Sequence, residues 1–176
     1  IRVSTVLGSR NKRIAALAAT ADVYVINREN VEWLVEYYKN AWPFDMVVVD
    51  ESSSFKDRST KRWRALKRVR PKIKRIVLLT GTPAPNNLID LWAQVYLLDE
   101  GARLGRTIGG FRERYFTPDK RSAERVFTYK PKFGAEETVQ NLIGDICISM
   151  KADDYLELPE CITVNTSVVL DAKGAK

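Results

Sequence analysis

Two short stretches of this chain place reactive side chains where a fold could use them. Asp50 and Glu51 directly follow the run Met46-Val47-Val48-Val49, and Thr80-Gly81-Thr82-Pro83 directly follows Ile76-Val77-Leu78-Leu79. An acidic residue at the end of a buried strand can hold a Mg²⁺ shared with phosphate oxygens. A second carboxylate beside it can orient or deprotonate an attacking water. Taken alone, the acidic pair carries a second reading, in which Asp50 only caps the turn that follows it.

The elements that must position these corners can be read from the apolar pattern. Unbroken runs of this length, rich in β-branched residues, suit strands buried on both faces, as in a parallel sheet covered by helices. The fold class expected is therefore α/β, a parallel sheet flanked by helices. In open sheets of that kind, ligands bind at the carboxyl ends of neighbouring strands, so the two corners should lie side by side. Between them, Ser59 or Thr60 can cap a helix whose inner face is Trp63, Leu66 and Val69, and Pro71 ends it. Beyond Pro83, the residues Leu88, Leu91, Trp92, Val95 and Leu98 share one helical face, and Asn87 with Asp90 offers a variant capping box.

The rest of the chain continues the alternation. Ile1 to Leu7 is β-prone, with Val3 and Val6 as inward residues. Ser9 caps a helix to about Ala19, with Ile14, Leu17 and Ala18 as its stripe. Asp22 breaks it, and Val23 to Ile26 reads as the next strand. Asn27 to Asn30 forms a polar corner before a helix bearing Val31, Leu34, Val35 and Tyr38. From Asp99 to about Phe133, glycines and prolines punctuate an irregular stretch around Phe111 to Phe116. Ala135 to Ile148 reads as a helix with Val139, Leu142, Ile143 and Ile146 inward. Cys161 to Leu170 reads as a strand, and Asp171 to Lys176 as frayed.

The chain has 176 residues, of which 45% are hydrophobic and 29% charged, enough for one globular domain with a core. No apolar run reaches the length of a membrane span, and no signal-peptide pattern is visible. Cys147 and Cys161 lack metal-type spacing and read as reduced thiols. The net charge of +7 is concentrated between Lys56 and Arg75, where Asp57 is the sole acidic residue. Such clustering fits a surface that faces a polyanion, and equally a solvated helix face.

The segment DESSSFK, the basic helix, and LLTGTPAPNNLIDLW together resemble motifs II and III of the Swi/Snf-type ATPases, a branch of the superfamily two helicases. Ser-Ser-Phe-Lys after the acidic pair is similar to the compact bacterial and bacteriophage members, and the sequence departs from the family pattern in three places. Ser53 stands where the family usually has His, and the chain contains no histidine. Pro85 stands where eukaryotic members usually have Gln. Ser149 and Met150 replace an arginine pair in the stretch Ile148 to Pro159, which is similar to the one closing the family's first lobe.

The resemblance implies a RecA-like fold of the P-loop NTPase type. Residues 1–98 would be a core bearing motifs II and III, 99–160 a helical extension closing the first lobe, and 161–176 a strand or linker towards a second lobe. It implies an ATP- and Mg²⁺-dependent DNA helicase or translocase moving on double-stranded DNA in a bacterial or phage-infected cytoplasm. Asp50 would be the Mg²⁺ carboxylate and Glu51 the water-orienting base. Thr80 and Thr82 would link nucleotide state to lobe closure, with Gly81 supplying a tight turn and Pro83 stiffening it. Arg28, Lys56, Arg64, Lys67 and Arg68 are the candidate DNA contacts, although an N-cap and a surface arginine explain the Arg28 corner nearly as well. Arg112 and Arg114 are either further contacts or solvated.

No G-x-x-x-x-G-K-[ST] occurs, so the phosphate-cradling loop and its lysine are missing from this sequence, which opens on Ile1. The expectation is a piece of a longer protein, truncated at its amino end and inactive alone, with ATP and Mg²⁺ bound only in the parent. Two other readings compete. One is a degenerate RecA-like module that binds DNA or a protein without turnover. The other is an unrelated P-loop enzyme, a kinase or packaging motor, which leaves NNLxDLW unexplained.

Overall fold

Valine-rich runs become strands here only where a parallel neighbour supplies backbone partners. The computed structural model of the chain describes residues 1–84, 87–120, 128–150 and 164. Strands β1 (Val3–Thr5) and β2 (Val23–Val25) pair in parallel, as do β3 (Met46–Val49) and β4 (Arg75–Leu78). Each pair is joined through helices: α1 (Arg10–Ala18) for the first, α3 (Lys61–Val69) for the second, with α2 (Val31–Tyr38) between the pairs. Helices α4 (Asp90–Asp99) and α5 (Ile108–Tyr115) follow. A short antiparallel hairpin of β5 (Phe116–Pro118) and β6 (Tyr129–Pro131) and the helix α6 (Ala135–Ile143) come last. Residues 1–145 form one unit and 146–176 a second.

Local chemistry accounts for the helix starts. The Ser9 hydroxyl accepts from the Lys12 N–H at 3.4 Å, and the Thr60 hydroxyl accepts from the Trp63 N–H at 3.3 Å, each satisfying a first-turn donor. Helix α4 differs from expectation. It begins at Asp90 with Ile89 as its cap, so Asn87 lies ahead of the capping position, and its side chain closes the preceding turn by accepting from the Ile89 N–H. Among the described residues Asn87 and Asp90 meet through the backbone, the Asp90 N–H donating to the Asn87 carbonyl at 3.0 Å, in place of the expected side-chain box. At its other end, Gly101 takes a φ of +89°, and a Cβ there would come within 2.8 Å of the Arg106 backbone. Only glycine fits that turn.

The core is built around α3 and α4. Trp63, Leu66 and Val69 are buried as expected, and Trp63 donates its indole N–H to the Ala93 carbonyl at 2.8 Å. Trp92, Ala93, Gln94, Val95 and Leu97 are all buried, so α4 is enclosed nearly all round instead of along one stripe. A smaller cluster of Val6, Leu17 and Leu34 lies beneath the rings of Tyr24, Trp33, Tyr38, Trp42 and Phe44. Helix α2 serves both clusters, placing Leu34 in the smaller and Val35 in the larger.

The strands are not buried on both faces. Val47 packs against the core and Val49 is buried in it, but Met46 and Val48 are more than half exposed, as is Val3; Val23 and Val25 are also exposed. Alternate residues point to opposite sides, and among the described residues only one side is covered. Ala18, Leu142 and Ile146 are likewise exposed: α1 buries only Leu17, α6 buries Ala135, Val139 and Ile143 but turns Leu142 outward, and Ile146 lies beyond the end of α6. The hairpin falls inside the stretch expected to be irregular. Its prolines sit at strand ends, where no ladder bond is lost. The expectations for Lys151 to Pro159, Cys161 to Leu170 and Asp171 to Lys176 concern residues outside those described, apart from Val164.

Arg70 ties these layers together. Its guanidinium donates to the carbonyls of Leu97, Leu98 and Ile73, which closes the end of α4 against the turn after α3. Replacing Arg70 by Met keeps the aliphatic stem and leaves those carbonyls without a charged donor. Urea denaturation of that variant should show a loss of about 2 kcal/mol, the scale of hydrogen bonds to a charged group; an unchanged midpoint would mean that solvent replaces the guanidinium freely.

Candidate functional site

The register of β3 and β4 decides where the two corners fall. Val49 lies opposite Leu78, and the ladder runs on past both strands. The Leu79 N–H donates to the Val49 carbonyl at 2.9 Å, and the Ser52 N–H donates to the Leu79 carbonyl at 2.9 Å. Asp50 and Glu51 therefore leave the sheet beside Thr80 and Gly81, at the carboxyl ends of adjacent parallel strands. The structure brings these residues together as expected.

Asp50 and Glu51 are both exposed. One Asp50 carboxylate oxygen accepts from the Glu51 N–H at 3.0 Å, so Asp50 does also hold its own turn. Glu51 adopts φ 51° and ψ 53°, the left-handed region, where a side chain with a Cβ is strained. That geometry drops the chain into a tight 3₁₀ turn, Ser52–Phe55, whose Phe55 anchors in the core. Among the described residues no group of three or more His, Cys, Asp or Glu could hold a metal unaided. A divalent cation on Asp50 would need oxygens from water and a bound phosphate chain, the usual environment of Mg²⁺.

At the second corner, the Thr80 hydroxyl accepts from the Thr82 N–H at 3.1 Å and closes the bend. Gly81 is not in the left-handed region, and a Cβ there would meet nothing within 4 Å. The tight turn expected of Gly81 is thus made by the Thr80 side chain. Thr82 is exposed, and Pro83 offers its carbonyl to the Gln94 side chain. Gln94 escaped the sequence reading. A polar residue within an otherwise apolar helix was the available signal.

The basic candidates are scattered in their local roles. Arg28 pairs with neighbouring Glu29 at 3.3 Å. Lys56 lies 3.7 Å from Asp90, linking the acidic corner to α4. Lys67 sits over the rings of Trp63 and Tyr96, at 5.4 Å and 4.8 Å from their centroids. Arg68 pairs with Glu36 of α2 at 2.9 Å. Arg64 is exposed on the same helix. Arg112 stacks on Tyr129 and Arg114 lies by Tyr115, while Phe111, Tyr115 and Phe116 pack inward. Asp57, ahead of α3, is held below its ordinary 3.8 because the Ser59 N–H hydrogen-bonds its carboxylate.

Comparison with known proteins places this arrangement. The SNF2-related domain family matches residues 1–143. The chain belongs to this family. Protein p41 of Acyrthosiphon pisum secondary endosymbiont phage 1 is 36% identical over 99% of the chain and 39% of its own length. The zebrafish (Danio rerio) DNA excision repair protein ERCC-6-like is 32% identical over 76% of the chain and 9% of its own length. The chain thus spans well under half of these relatives. Among solved structures, the Sulfolobus solfataricus SWI2/SNF2 ATPase core in complex with dsDNA superposes with a TM-score of 0.58 at 22% identity. The match covers 82% of this chain and 27% of that one. The RecA-like α/β fold expected of an SNF2-related chain is confirmed by that likeness. No helix among the described residues is long and apolar enough to cross a membrane.

The strain at Glu51 has a measurable signature. A Glu51→Gly variant relieves the left-handed backbone but gains unfolded-state entropy, so stability should hold or rise by up to about 1 kcal/mol. Thermal denaturation checks this; a clear loss would mean that the Glu51 side chain supports the fold.

Proposed function

We propose that this SNF2-related chain is part of an ATP-hydrolysing motor that moves on double-stranded DNA. The observation that carries the reading is the in-register β3–β4 pair, which sets Asp50 and Glu51 beside the Thr80–Pro83 turn. On this reading residues 1–98 are the core of the first motor lobe, residues 99–160 close it, and 161–176 lead towards a second lobe. Mg²⁺, when bound with ATP, supplies charge neutralisation across the phosphates.

Asp50 would hold the cation through its exposed carboxylate, and Glu51 would orient the attacking water and take its proton. The left-handed backbone at Glu51 sets the direction in which its side chain leaves the turn after the strand. Thr80 and Thr82, on the neighbouring corner, sense whether the terminal phosphate is present. Arg28, Lys56, Arg64, Lys67 and Arg68 serve DNA binding in this scheme. Lys56, Lys67 and Arg68 also hold Asp90, the Trp63 and Tyr96 rings, and Glu36 respectively, whereas Arg64 is exposed on α3 and is the one we assign first to phosphate.

Two measurements on the whole protein test the proposal. Glu51→Gln keeps the shape and removes the base, so ATP should still bind while DNA-stimulated hydrolysis falls by about two orders of magnitude or more. Retained turnover would place the base elsewhere. Reversing Arg64, Lys67 and Arg68 to Glu should weaken DNA binding and flatten its salt dependence, by about 0.9 in log–log slope for each phosphate that is no longer neutralised. Unchanged affinity and slope in a folded variant would leave α3 a solvated face.

A further inference from the structure

Helix α4 carries one polar side chain at a position enclosed like its apolar neighbours. Gln94 is 4% exposed and Ser52 is 1% exposed. The Ser52 hydroxyl donates to Gln94 Oε1 at 2.9 Å. Gln94 Nε2 donates to the Pro83 carbonyl at 2.6 Å and to the Asp90 carbonyl at 3.1 Å. Both amide hydrogens are thereby used. The amide orientation is also forced, because two carbonyls can only accept, so the nitrogen must face them and the oxygen must face Ser52.

This side chain spans both corners of the site. Ser52 follows Glu51 directly, and Pro83 closes the Thr80–Pro83 turn. The bond to Asp90, one helical turn back, locks the Gln94 rotamer against the rigid body of α4. A displacement of the Pro83 carbonyl must then either break its part-buried bond to the Gln94 amide or be passed on to Ser52. Leaving a buried amide or hydroxyl unpaired is costly, so the three groups move as one. Packing alone does not require this arrangement, since an unbranched apolar side chain would fill the same volume.

We propose that Gln94 is a positioning residue that couples the Thr80–Pro83 turn to Glu51 through Ser52. The link leaves the acidic corner at Ser52, the third residue of the Asp-Glu-Ser-Ser run, and not at Ser53. The inference deepens the motor reading and rests on it for its functional meaning, while the mechanical link itself can be measured without turnover.

The experiment uses the whole protein with Ser52→Ala, Gln94→Met and the double variant. Met matches the length of Gln, so the core should remain filled. In amide hydrogen exchange, Ser52→Ala should raise exchange across residues 80–84, on the far corner, and Gln94→Met should raise it across both 80–84 and 51–55. Protection in α3 should be unchanged. In steady-state ATP hydrolysis, each variant should lower kcat about tenfold with KM for ATP nearly unchanged, the pattern of misplaced catalytic groups. The double variant should be no worse than the worse single, as for residues acting through one connection. Unaltered exchange at 80–84 in Ser52→Ala overturns the coupling, as does a uniform rise throughout the domain with a matching loss of folded protein. A wild-type protein that hydrolyses no ATP sinks the motor reading instead, and the exchange pattern still decides the link.

Discussion

The parallel register between β3 and β4 is the constraint on which the site depends. A shift by one residue would move Val49 out of the core and turn Asp50 towards the opposite face, because strand side chains alternate. Two backbone bonds beyond the ladder, at Leu79 and Ser52, extend that register into the corners themselves. The acidic pair is thus placed by main-chain geometry and only then refined by side chains. The strained Glu51 backbone is tolerated because Ser52 and Phe55, immediately after it, are anchored in the interior.

Around this register the polar groups form a second level of order. Trp63 reaches Ala93, Arg70 reaches the end of α4, and α4's own Gln94 reaches out to Pro83, so α4 is tied along its length to other elements. Much of the positive charge between Lys56 and Arg75 is used in the same way. Arg68 holds α2, Lys72 donates to the Asn40 carbonyl, and Lys74 pairs with Asp45. A composition that reads as a polyanion surface is therefore partly the fastening of the domain to itself.

The strands, the caps at Ser9 and Thr60, and the inner face of α3 were legible because each rests on a local pattern. So were Asp50, Glu51 and the Thr80–Pro83 corner, whose types and spacing are visible without coordinates. What escaped depends on contacts distant in sequence. Gln94 was missed because α4 was read as a one-sided amphipathic helix, whereas Leu97, Ala93 and Gln94 are enclosed from other directions. The hairpin was hidden by its own prolines. The exposure of Val3, Met46 and Val48 could not be read from their types, since burial of a valine depends on what covers its side of the sheet.

Those outward valines bear on how the molecule behaves in a test tube. Val23 and Val25 on one strand pair, and Met46 and Val48 on the other, expose apolar side chains on short strands, the chemistry that favours strand-to-strand accretion between molecules. Intramolecular pairing and colloidal self-association then compete for the same backbone groups. Self-association of the isolated chain should therefore rise with its concentration.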